Sequence, residues 1–176
     1  DADGSPAWYL AAAPLVDGNR WSADLLRFTN DGETQAATVV GDITISMLDE
    51  SDAVLSWTLF GASGTERFSP LPRTCPEGFD ENFTGVWFRG VDGLGGASVL
   101  VNSATQGQVH YLYDGAGEPR WLIASGPFPF PNALPLLQFD GFCPGCAGVS
   151  DDVSSTEVDT LRTGFEAGDV GTWTLD

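Results

Sequence analysis

The chain has 176 residues, of which seven are basic, all arginine, and 25 are acidic, for a formal net charge of −18. With 42% apolar and 11% aromatic residues it can fill a sizeable core, which excludes wholesale disorder. A field of this sign repels phosphates and anionic headgroups, and no run of about 18 uncharged apolar residues occurs, so nucleic acid and membrane insertion are both excluded as expectations.

Gly 22 and Pro 11 together make about a fifth of the chain, against a usual level of roughly an eighth. Apolar residues alternate in short runs bounded by Gly, Asp, Asn and Pro, and windows with helical spacing are few, so the chain reads as all-β. Residues 1–73 form a first block, with strands predicted over 40–48 and 53–60, joined by the turn Asp49-Glu50-Ser51-Asp52, and over 65–70. Residues 74–82 read as a linker. Residues 83–176 form a second block that opens with strands over 84–90, 96–103 and 108–113. Asp114-Gly115-Ala116-Gly117 then turns the chain into a strand over 119–125, since Asp-Gly between alternating hydrophobics is a strong hairpin signal. Strands over 134–139 and 170–175 follow, with an inserted loop expected around residues 143–163.

The two blocks read as partial copies of one unit. Gly4-Ser5-Pro6-Ala7-Trp8-Tyr9-Leu10-Ala11 lies over Gly117-Glu118-Pro119-Arg120-Trp121-Leu122-Ile123-Ala124. Asp24-Leu25-Leu26-Arg27-Phe28 lies over Pro135-Leu136-Leu137-Gln138-Phe139, and Val40-Gly41-Asp42-Ile43-Thr44-Ile45 over Val170-Gly171-Thr172-Trp173-Thr174-Leu175. Read across both copies, one unit has about eight short strands. The expected fold is an antiparallel up-and-down barrel or sandwich built from two incomplete copies of one repeat. Because the copies are cut at different strands, open edges with unpaired N–H and C=O groups are expected, and these invite self-association by strand exchange.

Three cysteines are present, Cys75, Cys143 and Cys146, so at most one internal disulfide forms. Glycines around Cys143-Pro144-Gly145-Cys146 disfavour the helix that a redox dithiol needs, and structural zinc usually needs four ligands. A Cys143–Cys146 disulfide staple is the reading adopted, which with the acidic, aromatic-rich pattern places the protein outside the cell. The N-terminus Asp-Ala-Asp-Gly has no export signal, so any such signal is expected to have been removed.

Tyr113-Asp114-Gly115-Ala116-Gly117-Glu118-Pro119-Arg120-Trp121-Leu122 resembles a repeat of secreted and cell-surface proteins of Gram-negative bacteria, with the pattern Tyr-Asp-x-x-Gly-x-Pro-x-Trp-Tyr/Leu. Gly85-Val86-Trp87-Phe88 and Val170-Gly171-Thr172-Trp173-Thr174-Leu175 look like the blocks that flank it in that family. Gly164-Phe165-Glu166-Ala167-Gly168-Asp169 through Trp173 is similar to a segment of many exported bacterial proteins. The resemblance implies export and a β repeat, and brings no catalytic residues with it.

Little here points to catalysis. His110 is the sole histidine, sits in the alternating run 109–113 as an outward or hydrogen-bonded strand residue, and has no Gly-x-Ser-x-Gly elbow to serve. Without lysine, Schiff-base chemistry and P-loop phosphate binding are excluded. Two facing carboxylates in an open cleft would revive a hydrolase. No cofactor is expected apart from a calcium ion, for which Asp49, Glu50 and Asp52 are the better cluster, although acids in turns are also accounted for by side-chain bonds to the local backbone. Trp8, Tyr9, Tyr111, Tyr113 and Trp121 are the candidate ligand-binding aromatics, suited to carbohydrate or a small hydrophobic ligand. The repeated placement of Trp8 and Trp121 favours core packing instead. The reading is a non-enzymatic extracellular structural or surface-attachment protein that self-associates, with a soluble β-barrel binding domain as the alternative.

Overall fold

Short turns join successive strands, so neighbours in sequence become neighbours in a sheet. The computed structural model describes residues 6–15, 18–50, 52–69, 83–88, 95–102, 104–128, 133–141, 153–166 and 170–175, none of them helical. A four-stranded antiparallel sheet comprises β1 (Arg20–Asn30), β2 (Gln35–Met47), β3 (Ala53–Leu59) and β4 (Ala62–Phe68), in that order. A seven-stranded sheet follows, again in chain order: β5 (Gly85–Phe88), β6 (Gly96–Asn102), β7 (Thr105–Tyr113), β8 (Pro119–Pro127), β9 (Leu134–Asp140), β10 (Ser154–Glu166) and β11 (Val170–Leu175). The division between sheets falls between Phe68 and Gly85, and the expected linker 74–82 lies outside the described residues.

The turns follow from local chemistry. Asp31 Oδ1 accepts the backbone N–H groups of Glu33 and Thr34 at 2.9 and 2.7 Å, closing the β1–β2 turn. Asp114 Oδ1 does the same for Ala116 and Glu118 at 2.9 and 3.0 Å in the predicted β7–β8 turn. Between β3 and β4, Phe60 and Gly61 both have positive φ (49° and 84°), the paired left-handed geometry whose twist matches a two-residue hairpin.

The seven-stranded sheet curls into a nearly closed barrel. Among the described residues its ends meet through rings rather than a hydrogen-bonded ladder: Trp87 of β5 lies 6.0 Å from Trp173 of β11, and Phe83 stacks on Phe165 of β10 at 4.6 Å. Alternation sends Ala97, Val99 and Val101 inward from β6, Leu122 and Ala124 from β8, Leu134 and Leu136 from β9 and Leu161 from β10, and all of these are buried. Each fully buried aliphatic side chain of this size contributes about 1.5–3 kcal/mol. Both core clusters are confined to this second sheet and its loops.

The two sheets share a pairing pattern. Leu10 bridges Leu26 in the first unit, and Ile123 pairs with Leu137, 113 and 111 residues further on, in the second. The β1–β2 ladder slips at Val40, between Leu25↔Gly41 and Leu26↔Val39, and the β9–β10 ladder slips at Val158, between Leu136↔Asp159 and Leu137↔Glu157. Strand β2 therefore occupies the place of β10, and β3 that of β11. This corrects two expectations. Val40–Ile45 corresponds by pairing to Val158–Thr163, not to Val170–Leu175, and the expected loop to Thr163 is strand β10 from Ser154 onward. The cause is the bulge: one extra residue reverses the inside–outside phase, so Val158 and Leu161 do not read as one alternating strand.

Candidate functional site

The predicted aromatics gather only in part. Trp8 approaches Tyr113 at 5.5 Å and Tyr111 at 6.1 Å, both edge-on, and its indole N–H donates to the Leu112 carbonyl at 3.1 Å. Tyr9 turns instead to Phe60, and Trp121 to Phe139. Trp8 stacks on Phe28 at 5.8 Å and Trp121 on Phe139 at 5.9 Å, in corresponding places of the two units. Neither tryptophan is the core plug that repetition suggested. Each lies on the outer face of its unit as half of a cross-strand stack, an arrangement worth about 0.5–1.5 kcal/mol beyond area burial.

The Trp8 cluster is also the junction between sheets. Arg27 of β1 pairs with Glu118 at 2.5 Å, the Asn30 N–H donates to the Gly117 carbonyl at 2.9 Å, and Gln35 Nε2 donates to the Tyr113 hydroxyl at 2.7 Å. Burial raises the Tyr113 pKa, with the Gln35 bond working the other way. Burial likewise raises that of Tyr9, opposed by the charge of Arg27. The rings are occupied by one another and by polar partners, which suits a joint better than an open ligand platform.

The acidic turns bind their own backbone. Asp52 presents both carboxylate oxygens to Arg67, at 3.1 and 2.6 Å, while its carbonyl accepts from the N–H groups of Leu48 and Asp49. That leaves Asp49, Glu50 and Asp52 without the convergent oxygens calcium needs, and no group of three or more His, Cys, Asp or Glu gathers for a metal among the described residues. Bonds from the Thr34 and Glu33 backbone lower the pKa of Asp31, and the Glu118 backbone bond chiefly lowers that of Asp114. Cys75, Cys143 and Cys146 lie outside the described residues.

Two carboxylates do face each other: Asp24 and Asp42 are directly opposed across β1 and β2, beside a groove of about 500 Å³ lined also by Ser22 and Thr44. Both are exposed. They lack the apolar enclosure that a general-acid carboxyl requires.

Sequence reasoning missed the polar centre inside the barrel. Gln106, Gln108 and His110 alternate inward along β7, in phase with Leu112. Gln108 Nε2 donates to Gln106 Oε1 at 2.9 Å and to Thr163 Oγ1 at 3.1 Å, while its Oε1 accepts the Trp173 indole N–H at 3.0 Å and faces His110 Nε2 at 3.1 Å. Burial pushes the His110 pKa down to about 4. The legible signal was three polar residues at period two on the same phase as a leucine, which marks a satisfied buried network rather than a solvated face.

The first sheet has a different kind of surface. Register puts Ala23, Ile43 and Trp57 in one row and Trp21, Ile45 and Leu55 in the next, on the same face as Leu25. The opposite face carries Ser22, Thr44, Ser56 and Thr65, whose hydroxyls pair across strands at 2.8 and 3.3 Å. This is a binary pattern built for one buried and one wet side. In the second sheet the corresponding face of β9–β11 is covered by β5–β8. In the first, neither core cluster includes any of these residues, and Met47 and Phe68 on the same face are each 41% exposed.

No protein-family model matches the chain, and neither a curated protein nor a solved structure matches it.

Proposed function

We propose that this is a non-enzymatic structural protein of the cell exterior whose copies associate through the first sheet. The observation that carries the reading is the apolar face of β1–β4, patterned like the covered face of β9–β11 but, among the described residues, without the half-barrel that covers it there. The occupant is a second copy. Two such faces laid together bury the partly exposed Ile43, Ile45, Leu55 and Trp57 of each chain, in the manner of a two-sheet sandwich with two-fold symmetry. Glu66 is the acid in register on this face, opposite Leu55, so the net charge of −18 sits mostly on the turns and the far side. The exported setting rests on the lysine-free acidic composition and the resemblance of the Tyr113–Leu122 segment to a bacterial surface repeat.

Light scattering after size exclusion, over a concentration series, tests this. The expected result is a dimer or larger species that Ile43→Asp reduces to monomer while Thr44→Asp, on the polar face, does not. A wild-type chain that stays monomeric up to high concentration at moderate salt, with its sheet content intact by circular dichroism, sinks the reading whatever the variants do.

A further inference from the structure

At one mouth of the barrel, a cleft of about 490 Å³ opens between the inward faces of β5–β7 and β9–β11. Its lining includes the rings of Trp87 and Trp173, the apolar Ala97, Leu136 and Leu161, and the imidazole of His110.

The hydrogen bonds below this cleft determine what the imidazole offers. An indole N–H can only donate, so the atom of Gln108 that Trp173 meets at 3.0 Å is the amide oxygen. That oxygen can only accept, so His110 Nε2, 3.1 Å away, carries the proton. In a neutral imidazole Nδ1 is then a bare acceptor. No side chain or backbone group among the described residues donates to Nδ1, and it is not one of the atoms sealed from solvent without a partner, so its lone pair is accessible. Burial, which lowers the His110 pKa to about 4, keeps the imidazole neutral throughout the neutral range.

We propose that this mouth binds a small neutral ring compound bearing one hydrogen-bond donor, of the phenol or alicyclic alcohol type. Its ring lies in the cleft against the exposed edges of Trp87 and Trp173, and its O–H donates to His110 Nδ1. A sugar fits less well, since several hydroxyls would meet aliphatic walls and go unpaired. An anion fits less well again: no arginine is among the described residues that line the cleft, and the chain carries a net charge of −18.

The test uses three probes of one ring system: 2-naphthol, 2-methoxynaphthalene and 2-naphthoate, measured by equilibrium dialysis against the intact chain. The expected result is saturable 2-naphthol binding, with the methoxy compound weaker by about tenfold, the value of one hydrogen bond near 1.4 kcal/mol, and the carboxylate weaker still. Because His110 is the sole histidine, nitrogen-15 NMR reads its ring without ambiguity, and 2-naphthol is expected to move the Nδ1 signal while leaving the tautomer unchanged. His110→Phe keeps the ring and removes the acceptor, so it should abolish the preference for naphthol over its methyl ether. Absence of saturable binding, equal affinity for naphthol and ether, or binding that leaves the His110 signal unmoved each overturns the proposal. If His110→Phe does not fold, the wild-type NMR titration decides.

Discussion

Strands β1–β3 and β9–β11 share a ladder pattern down to the position of the bulge, yet they end in different physical states. Leu136 and Leu161 are each 1% exposed, whereas Leu25, in the place of Leu136, retains 9%, and Ile43, in the place of Leu161, is only partly buried. The difference is supplied by β5–β8, which fold back over β9–β11 and have no counterpart over β1–β3 among the described residues. Hydrogen-bonded register and binary pattern build a sheet, but a core forms only where a second layer removes water from it.

The largest expected effect breaks this comparison directly. Leu161→Ala should lower stability by about 2–5 kcal/mol in urea unfolding, and Ile43→Ala by about 1 kcal/mol or less in the monomer. Equal losses would mean that the first sheet is as well covered as the second.

Acid should act on the barrel through His110. Its pKa falls from 6.5 unfolded to about 4 folded, so between those values the unfolded chain binds more protons. Stability contributed by the neutral imidazole is full above pH 6.5 and drains away as pH falls to about 4, by up to about 3 kcal/mol. His110→Leu should flatten that part of the pH–stability curve, and an unchanged slope would place the acid sensitivity elsewhere.

The joint between the regions is more modest. Gly117 has φ +80°, and a Cβ there would lie 1.9 Å from the Asn30 carbonyl oxygen. Gly117→Ala should cost at least about 1 kcal/mol and weaken the Trp8–Tyr113 contact, visible as a change in tryptophan emission. The smallest effect is a gain. Asp24→Asn removes a like charge directly opposite Asp42 and should stabilise the first sheet by about 0.2–1 kcal/mol, less at high salt, as read by thermal unfolding.

Much of the fold was legible because short-range rules decide it. The Asp114 turn, strand β8 from Pro119 and strands β9 and β11 fall where alternation and turn residues put them. Strand β10 was not legible, since its polar Ser154-Ser155-Thr156-Glu157 opening and the phase reversal at Val158 break the period-two signal. The candidate site was less legible still. Trp8, Tyr111 and Tyr113 do meet, but as a joint. The cleft at His110 depends on which residues of β5, β7, β10 and β11 converge.

The sequence alone determined the class: a lysine-free, glycine-rich, alternating chain with acids in its turns makes antiparallel hairpins, because strand period and turn geometry are local properties. Only the tertiary structure decided which alternating face became a core, which aromatics stack outside and which line a mouth, and which way the imidazole of His110 presents its lone pair. Those outcomes depend on strands far apart in sequence covering one another, and neither composition nor spacing encodes that coverage.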